Sequence, residues 1–411
     1  LKLLVSAYAC APNHGSDHAV GWNWITEAHR QGFQIWALVS PNHQESITRV
    51  CRENPDLAGI NWIFPTVPGC KLAQGREPRW ERTYNLLWQR AALRHARPLH
   101  RQVQFDAVHH LTWGGIRAPT FLGALGAPLF IGPIGGGETS PVSLRDELGP
   151  RGRLLETIRD ATTATITFNP LVAPGLRSAA AIFVYTKDTQ NLFSGELRKK
   201  TIVFSPVAIA QLPPVQPRTA SSGPPKFLYA GRLLYWKGVH IALRALAELN
   251  RLTPGASFTI VGDGPERERL RADVDRLGLH GQVEFISRVP QPALFELYQT
   301  HDLLLFPSLH DSGGFVVIEA LSRGMPVVCL DLGGPRDMVT PASGIVVATK
   351  GRNTGAVAAA MAQEIHRLVA APGKLQALSS GAVARAAEFV LAARVRAFYG
   401  LATKTEEAVL S

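Results

Sequence analysis

The chain has 411 residues, 46% of them hydrophobic and 18% charged, a balance that excludes a disordered polypeptide and a length that calls for two domains. Its formal net charge of +11 points to nucleic acid, an anionic membrane or phosphorylated small molecules as partners, or to a merely soluble basic surface. No zinc-finger, basic-zipper or RNA-binding signature is present, so no nucleic-acid partner is expected, and four scattered cysteines (Cys10, Cys51, Cys70, Cys329) without a CxxC pair exclude a metal or disulfide framework and suggest a reducing cytoplasm.

Residue 1 is Leu, and no signal peptide follows it. Short apolar runs then alternate with helical patterns. LKLLVSAYA, FQIWALVS, INWIFP, FDAVHHL, APLFIGP and AAIFVYT predict buried strands, and the periodic segments between most of them predict parallel sheet covered by helices. The loop after the first strand carries Gly15 and Ser16; its plainer reading is a helix start capped by Asp17. From Lys71 to Arg101, Lys71, Arg76, Arg79, Arg82, Arg90, Arg94, Arg97 and Arg101 face only Glu77 and Glu81, while Trp80, Tyr84, Leu87, Trp88 and Ala91 fall at helical spacing. A basic helix with an aromatic stripe suits an anionic membrane surface, or else the stripe packs inward and the charges are solvated.

FDAVHHL ends in two histidines, His109 and His110, either structural or part of a site. PIGGGE, residues 133–138, reads as a flexible loop lining a cleft with Glu138 behind it, or simply as a tight loop. The longest uncharged stretch, Ala118 to Gly137, is broken by Gly123, Gly126, Pro128, Gly132 and Pro133 and is not a membrane span. A Pro- and Ser-rich run, QLPPVQPRTASSGPP at 211–225, has no apolar periodicity and reads as a linker. The predicted domains are therefore 1–208 and 222–387, joined by 209–221.

A second α/β series follows, with KFLYAGRL, ASFTIVGDG, QVEFISRV, DLLLFPS, MPVVCL and GIVVAT as strands. Val239, Leu243, Leu246 and Leu249 mark a helix after the first of them. Periodicity does not say on which lobe the terminal helix (Ala386 to Leu401) packs; a C-terminal helix over about 388–411 that returns to the first domain is one expectation. Two successive α/β units make the cleft between them the default site.

Three segments of this second half carry chemistry. In AGRLLYWKG, Arg232 follows a strand and Lys237 precedes a helix, two cations that suit a diphosphate leaving group. VGDGP, with Gly262, is a Gly-rich loop after a strand. In SLHDSGGFVVIEALSRGMPVV, residues 308–328, a strand ends in a loop with Asp311, Ser312, Gly313 and Gly314 at a helix start, where backbone N–H groups approach an anion; Glu319 lies about a turn and a half further on. The bland alternative is a strand–turn–helix with a capping Asp. Asp273-Val274-Asp275 has the letters of an Asp-x-Asp metal motif, but Leu270, Val274 and Leu277 form the buried stripe of that helix, so both aspartates are expected to point away from the core and no metal is expected.

Together these three segments resemble, in order and spacing, the donor lobe of glycosyltransferase family 4, over most of residues 226–345. The resemblance implies the GT-B architecture, two Rossmann-like domains facing each other across a cleft. It also implies a nucleotide-sugar donor, transfer with retention and no protein nucleophile. The family signature is two acidic residues with seven between them; here Asp311 replaces the commoner Glu, and Glu319 is the second. By resemblance Asp311 contacts the donor sugar's hydroxyls and Glu319 the ribose, Gly313, Gly314, Phe315 and Val316 offer backbone to sugar and diphosphate, and Arg232 and Lys237 hold the phosphates. Gly262 and Arg288 join the nucleotide-binding set, with the base held by backbone near Ser287 to Val289. Gly15 is similar to the glycine of the acceptor lobe that approaches the phosphates. A histidine near the reacting centre is implied, and His110 is preferred over His109.

The expected partners are a nucleotide-sugar donor, an acceptor glycan or lipid-linked sugar, and an anionic membrane surface at the inner face. A soluble small-molecule acceptor and a non-catalytic bilobal binding protein are the alternatives. A sugar-nucleotide epimerase or a dehydrogenase is weaker, because the first strand leads to Asn13-His14-Gly15-Ser16 instead of GxGxxG.

Overall fold

The computed structural model describes residues 1–69, 78–214, 223–371 and 373–410. The chain forms two compact units. The first comprises Leu1–Gly137, Ala161–Pro206 and Leu391–Ser411; the second comprises Glu138–Asp160 and Val207–Val390.

The first unit is a seven-stranded sheet of order β3-β2-β1-β4-β5-β6-β7, made of β1 (Lys2–Ala7), β2 (Gln34–Val39), β3 (Asn61–Ile63), β4 (Ala107–Thr112), β5 (Leu129–Ile134), β6 (Ala181–Val184) and β7 (Thr201–Val203). Every pairing is parallel. The central strands β1, β4 and β5 are buried on both faces, which is why the sequence shows mostly apolar runs there and not alternation.

The second unit repeats the plan with six parallel strands in the order β10-β9-β8-β11-β12-β13: β8 (Lys226–Ala230), β9 (Ser257–Val261), β10 (Val283–Ile286), β11 (Leu303–Phe306), β12 (Val327–Leu330) and β13 (Gly344–Val347). Both units are Rossmann-like, the α/β architecture of the GT-B fold. The helix Val239–Leu252 buries Val239, Leu243, Leu246 and Leu249 as its period predicts, and Ile241, Ala242 and Ala245 besides.

Several expectations are corrected here. The basic helix runs from Pro78 to Val103, and its aromatic stripe is core: Tyr84 and Trp88 are buried, and Tyr8 packs edge-on to Trp88 at 5.2 Å. Only Trp80 of that stripe is strongly exposed, so the apolar face is not available to a membrane. Lys71, Arg76, Glu77 and the side chain of Arg79 lie outside the described residues, as do Cys70 and residues 215–222 of the expected linker.

Residues 138–160 belong to the second unit and not with the rest of 1–208, because their charged groups find partners there. Glu147 pairs with Arg244 at 2.7 Å and Arg269 at 3.3 Å, and Asp146 accepts the Thr354 hydroxyl. The terminal helix is two helices, Lys374–Ala387 in the second unit and Leu391–Leu410 in the first. Val395, Phe398 and Tyr399 are buried, and Phe398 packs on Trp24 at 5.6 Å and on Phe183 at 4.1 Å.

Asp273 is buried and not solvated; its Oδ1 takes Arg276 Nη2 at 2.6 Å, whereas Asp275 is exposed as expected. Among the described residues no helix is long and apolar enough to cross a membrane.

Candidate functional site

In the second unit β8 and β11 are neighbours, and the chain winds outward from them in opposite directions. Loops leaving the C-terminal ends of such strands diverge and open a crevice, the usual ligand position in open parallel sheets. The two loops here are 231–238 after β8 and 307–314 after β11, and they carry Arg232, Lys237, Asp311, Gly313 and Gly314.

The loops are zipped together by their own atoms. Trp236 O accepts Leu309 N–H at 2.7 Å and the Ser308 hydroxyl at 3.2 Å. Gly238 has φ +69, and a Cβ on it would lie 2.0 Å from Pro307 O, so glycine is required where the loops meet. His310 stacks on Trp236 with centroids 5.4 Å apart. Lys237 forms a short ion pair with Asp311 Oδ2, both side chains mostly buried at 20% and 15% exposed.

Asp311 Oδ1 meanwhile accepts the N–H groups of Gly313 at 3.2 Å and Gly314 at 3.3 Å. The carboxylate therefore closes the turn that starts the helix Phe315–Ser322, with Gly314 at φ +65 as its cap. A phosphate does not find the amides of Gly313 and Gly314 open in this arrangement. The first helical amides, those of Phe315 and Val316, are the ones that helix geometry leaves without an internal partner.

Glu319 lies on that helix, held from behind by the Tyr298 hydroxyl and Gln291 Nε2, each at 3.3 Å. Burial pushes its carboxyl up, against the opposing pull of those two bonds and of Arg323. Arg232 and Arg288 are exposed, and neither guanidinium has a partner among the described residues. The backbone N–H of Arg288 bonds Asp263 Oδ2 at 3.2 Å, fixing the 287–289 strand end. At Gly262, φ is +143 and a Cβ would sit 1.9 Å from Gly231 O; at Gly264 it would meet Leu233 O at 2.2 Å. These glycines let the β8 and β9 loops touch backbone to backbone.

Four further residues, Trp236, His310, Glu138 and Glu156, stand at this site. Ser312 donates to the carboxylate of buried Glu138, and Glu156 Oε2 lies 3.7 Å from His310 Nε2. Trp236 and His310 were readable as polar or aromatic neighbours of the two cations and carboxylates. Glu138 and Glu156 come from a distant stretch of chain and were not.

The first unit holds the remaining predicted residues. Gly15 caps the helix Ser16–Arg30 at φ −97 and ψ 179, flanked by Asn13 and Ser16 at positive φ, so Asp17 is inside the helix and is not the cap. His109 and His110 both lie within β4, not past its end. His109 donates from Nε2 to Gly132 O at 2.6 Å and accepts the Tyr399 hydroxyl on Nδ1 at 2.9 Å, and burial depresses its pKa to about 3. It is a structural tether. Among the described residues both nitrogens of buried His110 lack a hydrogen-bond partner, and burial lowers its pKa to about 4.

With this geometry in view, the comparisons with known proteins carry weight. Residues 215–377 match the family model described as glycosyl transferases group 1. Those residues lie within the second unit. The chain is 32% identical over 143 residues to a glycogen synthase of Mycobacterium tuberculosis, covering 35% of this chain and 34% of that one. The chain thus spans about a third of that relative's length. A 2-deoxystreptamine N-acetyl-D-glucosaminyltransferase of Streptomyces fradiae is 28% identical over 333 residues, 72% of this chain and 76% of that one.

Among solved structures, sucrose-phosphate synthase from Thermosynechococcus elongatus matches with a TM-score of 0.68 at 18% identity, over 99% of both chains. HepE of Anabaena in complex with UDP and glucose matches with a TM-score of 0.61 at 18% identity, over 98% of this chain and 99% of that one. Likeness at that identity speaks for the fold: the residues that match the family model are followed and preceded by the elements of a whole GT-B chain.

Proposed function

We propose that the chain is a retaining glycosyltransferase that takes a sugar from a nucleotide-sugar donor. The observation that carries this is the Lys237–Asp311 pair at the strand switch, beside the start of a helix whose next turn presents Glu319. In the proposed complex Lys237 and Arg232 neutralise the diphosphate, whose charge grows as the glycosidic bond breaks. The amides of Phe315 and Val316 add dipole stabilisation at the same group. Asp311 orients the sugar's hydroxyls, and Glu319, stiffened by Tyr298 and Gln291, takes the ribose. Gly262 and Arg288 bound the nucleotide from the β9 and β10 side. The leaving diphosphate guides the acceptor from the same face, so no side chain is assigned as nucleophile and no metal is assigned to the charge.

Gly15 and His110 are proposed for the acceptor side. A neutral imidazole fits His110, since burial holds its pKa near 4. A lipid-linked or membrane-presented acceptor at the cytoplasmic face rests on the +11 charge alone once the aromatic stripe is known to be core. A soluble acceptor is the second reading, and the 2-deoxystreptamine in the name of the Streptomyces fradiae relative favours it.

The test is nucleotide release from a panel of UDP-, GDP- and ADP-sugars, with and without lipid extract, in the wild type and in Glu319→Ala and Lys237→Ala. Release from one donor that falls in both variants supports the transferase reading. Binding without turnover in every combination moves the chain to a ligand-binding role.

A further inference from the structure

We propose that Glu156, on the helix Pro150–Ala164, is a positioning residue that holds the two ligand loops of the second unit in register through His310. The inference rests on the donor-site reading for its functional consequence, though not for the loop contacts themselves.

The helix is built inside out. Its buried residues include Glu156 and Thr163, while Leu154, Leu155 and Ile158 are 60%, 67% and 50% exposed. An apolar inner face would anchor such a helix at lower desolvation cost than a carboxylate does. The carboxylate must therefore be matched by what it faces.

Glu156 Oε2 accepts the Ser140 hydroxyl at 2.8 Å and lies 3.7 Å from His310 Nε2 and 3.9 Å from Arg159 Nη1. Burial pushes the Glu156 carboxyl up, but its polar surroundings, His310 and the Ser140 hydroxyl among them, outweigh it and hold the group down at about 2.

The positions of its partners give the contact its meaning. His310 immediately precedes Asp311. Glu156 thus faces the residue that adjoins the carboxylate of the ion pair. His310 also lies flat on Trp236, whose carbonyl holds Leu309 and Ser308, so a shift of the imidazole is passed to the other loop. On the far side of Asp311, Ser312 is bound by Glu138 of the same segment. The two neighbours of Asp311 are therefore both held by carboxylates from residues 138–160.

The segment is itself anchored. Arg145 donates to Ser140 O at 3.0 Å from Nε and pairs with Asp160 at 2.5 Å, and Glu147 is locked to Arg244 and Arg269. These contacts lie away from both loops, so a change at Glu156 tests the loops and not the attachment of the segment.

The experiment compares the full chain with Glu156→Gln, Glu156→Asp and His310→Asn. Amide hydrogen exchange is followed at 235–238 and 308–314, with β11 and β12 as internal references, and UDP, GDP and ADP are titrated calorimetrically. The expected result for Glu156→Gln is roughly tenfold faster exchange in both loops with the reference strands unchanged, and roughly tenfold weaker binding of whichever nucleotide binds the wild type. The double variant with His310→Asn should lose little more than either single one. Partial recovery in Glu156→Asp, which keeps the charge, supports positioning by charge; a purely packing role would not distinguish it from Gln.

If Glu156→Gln does not fold, Glu156→Asp and His310→Asn carry the same exchange test. Unchanged exchange in both loops overturns the proposal, as does unchanged nucleotide affinity in a variant whose loops exchange faster. If the wild type binds none of the three nucleotides, the donor-site reading fails and the exchange result alone decides whether Glu156 holds the loops.

Discussion

Replacing Lys237 by Met removes one charge and keeps the aliphatic stem, which lies against Phe306 with Nζ 5.4 Å from the ring centroid. Two quantities move. The ion pair with Asp311 is mostly buried, with side chains 20% and 15% exposed, so stranding the carboxylate costs less than the 3–5 kcal/mol of a fully buried pair, about 2 kcal/mol. A hydrogen bond from a charged donor to a phosphate oxygen contributes about 1.5–3 kcal/mol, so the nucleoside diphosphate should bind roughly 10- to 150-fold more weakly. Asp311→Asn should act with the opposite sign. Its amide oxygen can still accept Gly313 and Gly314 N–H, as Oδ1 does now, while the charge that competes with phosphate for Lys237 is gone. Diphosphate affinity should then hold or rise up to about tenfold, while sugar transfer falls because the hydroxyl-orienting carboxylate is lost. Calorimetric titration of UDP, GDP and ADP into both variants reads the comparison directly. Equal weakening in the two variants would mean that the pair only shapes the loop, and the phosphate role of Lys237 would have to be abandoned.

The burial of His110 predicts an acid-labile first unit. Its folded pKa of about 4 lies below its ordinary 6.5, so its contribution is complete above pH 6.5 and is lost as pH falls toward 4; at pH 5 the loss is about 2 kcal/mol. His110→Leu should shrink the drop in melting temperature between pH 7 and pH 5, and an undiminished drop would contradict the burial argument. Tyr399→Phe leaves His109 Nδ1 without its donor and should cost about 1–3 kcal/mol, read as a lower melting temperature at pH 7. Gly15→Ala meets nothing within 4 Å at a negative φ, so melting should not change; a fall in transfer at constant stability would place the Gly15 backbone at the ligand, and unaltered transfer would remove it from the site. Gly238→Ala must displace Pro307 O from 2.0 Å and adopt φ +69, so both melting temperature and nucleotide affinity should drop together.

The two Rossmann-like units were legible because strands covered on both faces by helices read as uninterrupted apolar runs, as AIFV at 181–184 and LLLF at 303–306 do. The second unit's site was legible because its chemistry is local: Asp311, Gly313, Gly314 and Glu319 lie within one loop and helix, and Lys237 is one strand away. The aromatic stripe of Pro78–Val103 was ambiguous, since helical periodicity says that one face differs without saying which way it points; Tyr84 and Trp88 turn out to face the core. Residues 138–160 were misplaced for a sharper reason. A helix whose Glu156 faces inward and whose leucines face out inverts the pattern from which burial is inferred. The choice between His109 and His110 depended on a partner, Tyr399, that lies at the far end of the chain.

The route of the backbone has a practical consequence. The chain passes from one unit to the other at 137/138, returns at 160/161, crosses again at 206/207 and goes back at 390/391. Cutting at the Pro-rich run near 211–225 would therefore not yield two self-sufficient halves. The downstream fragment would lose the carboxylates that pair with Arg244 and Arg269 and the one that binds Thr354, and would keep a terminal helix whose apolar side belongs elsewhere. The upstream fragment would carry Glu147 and Asp146 with nothing to bind and would lack the Phe398 that fills the space between Trp24 and Phe183. Complementation of two such fragments, with neither stable alone, is the behaviour to expect of this chain, and any excision of the second unit has to bring residues 138–160 along by a new connection.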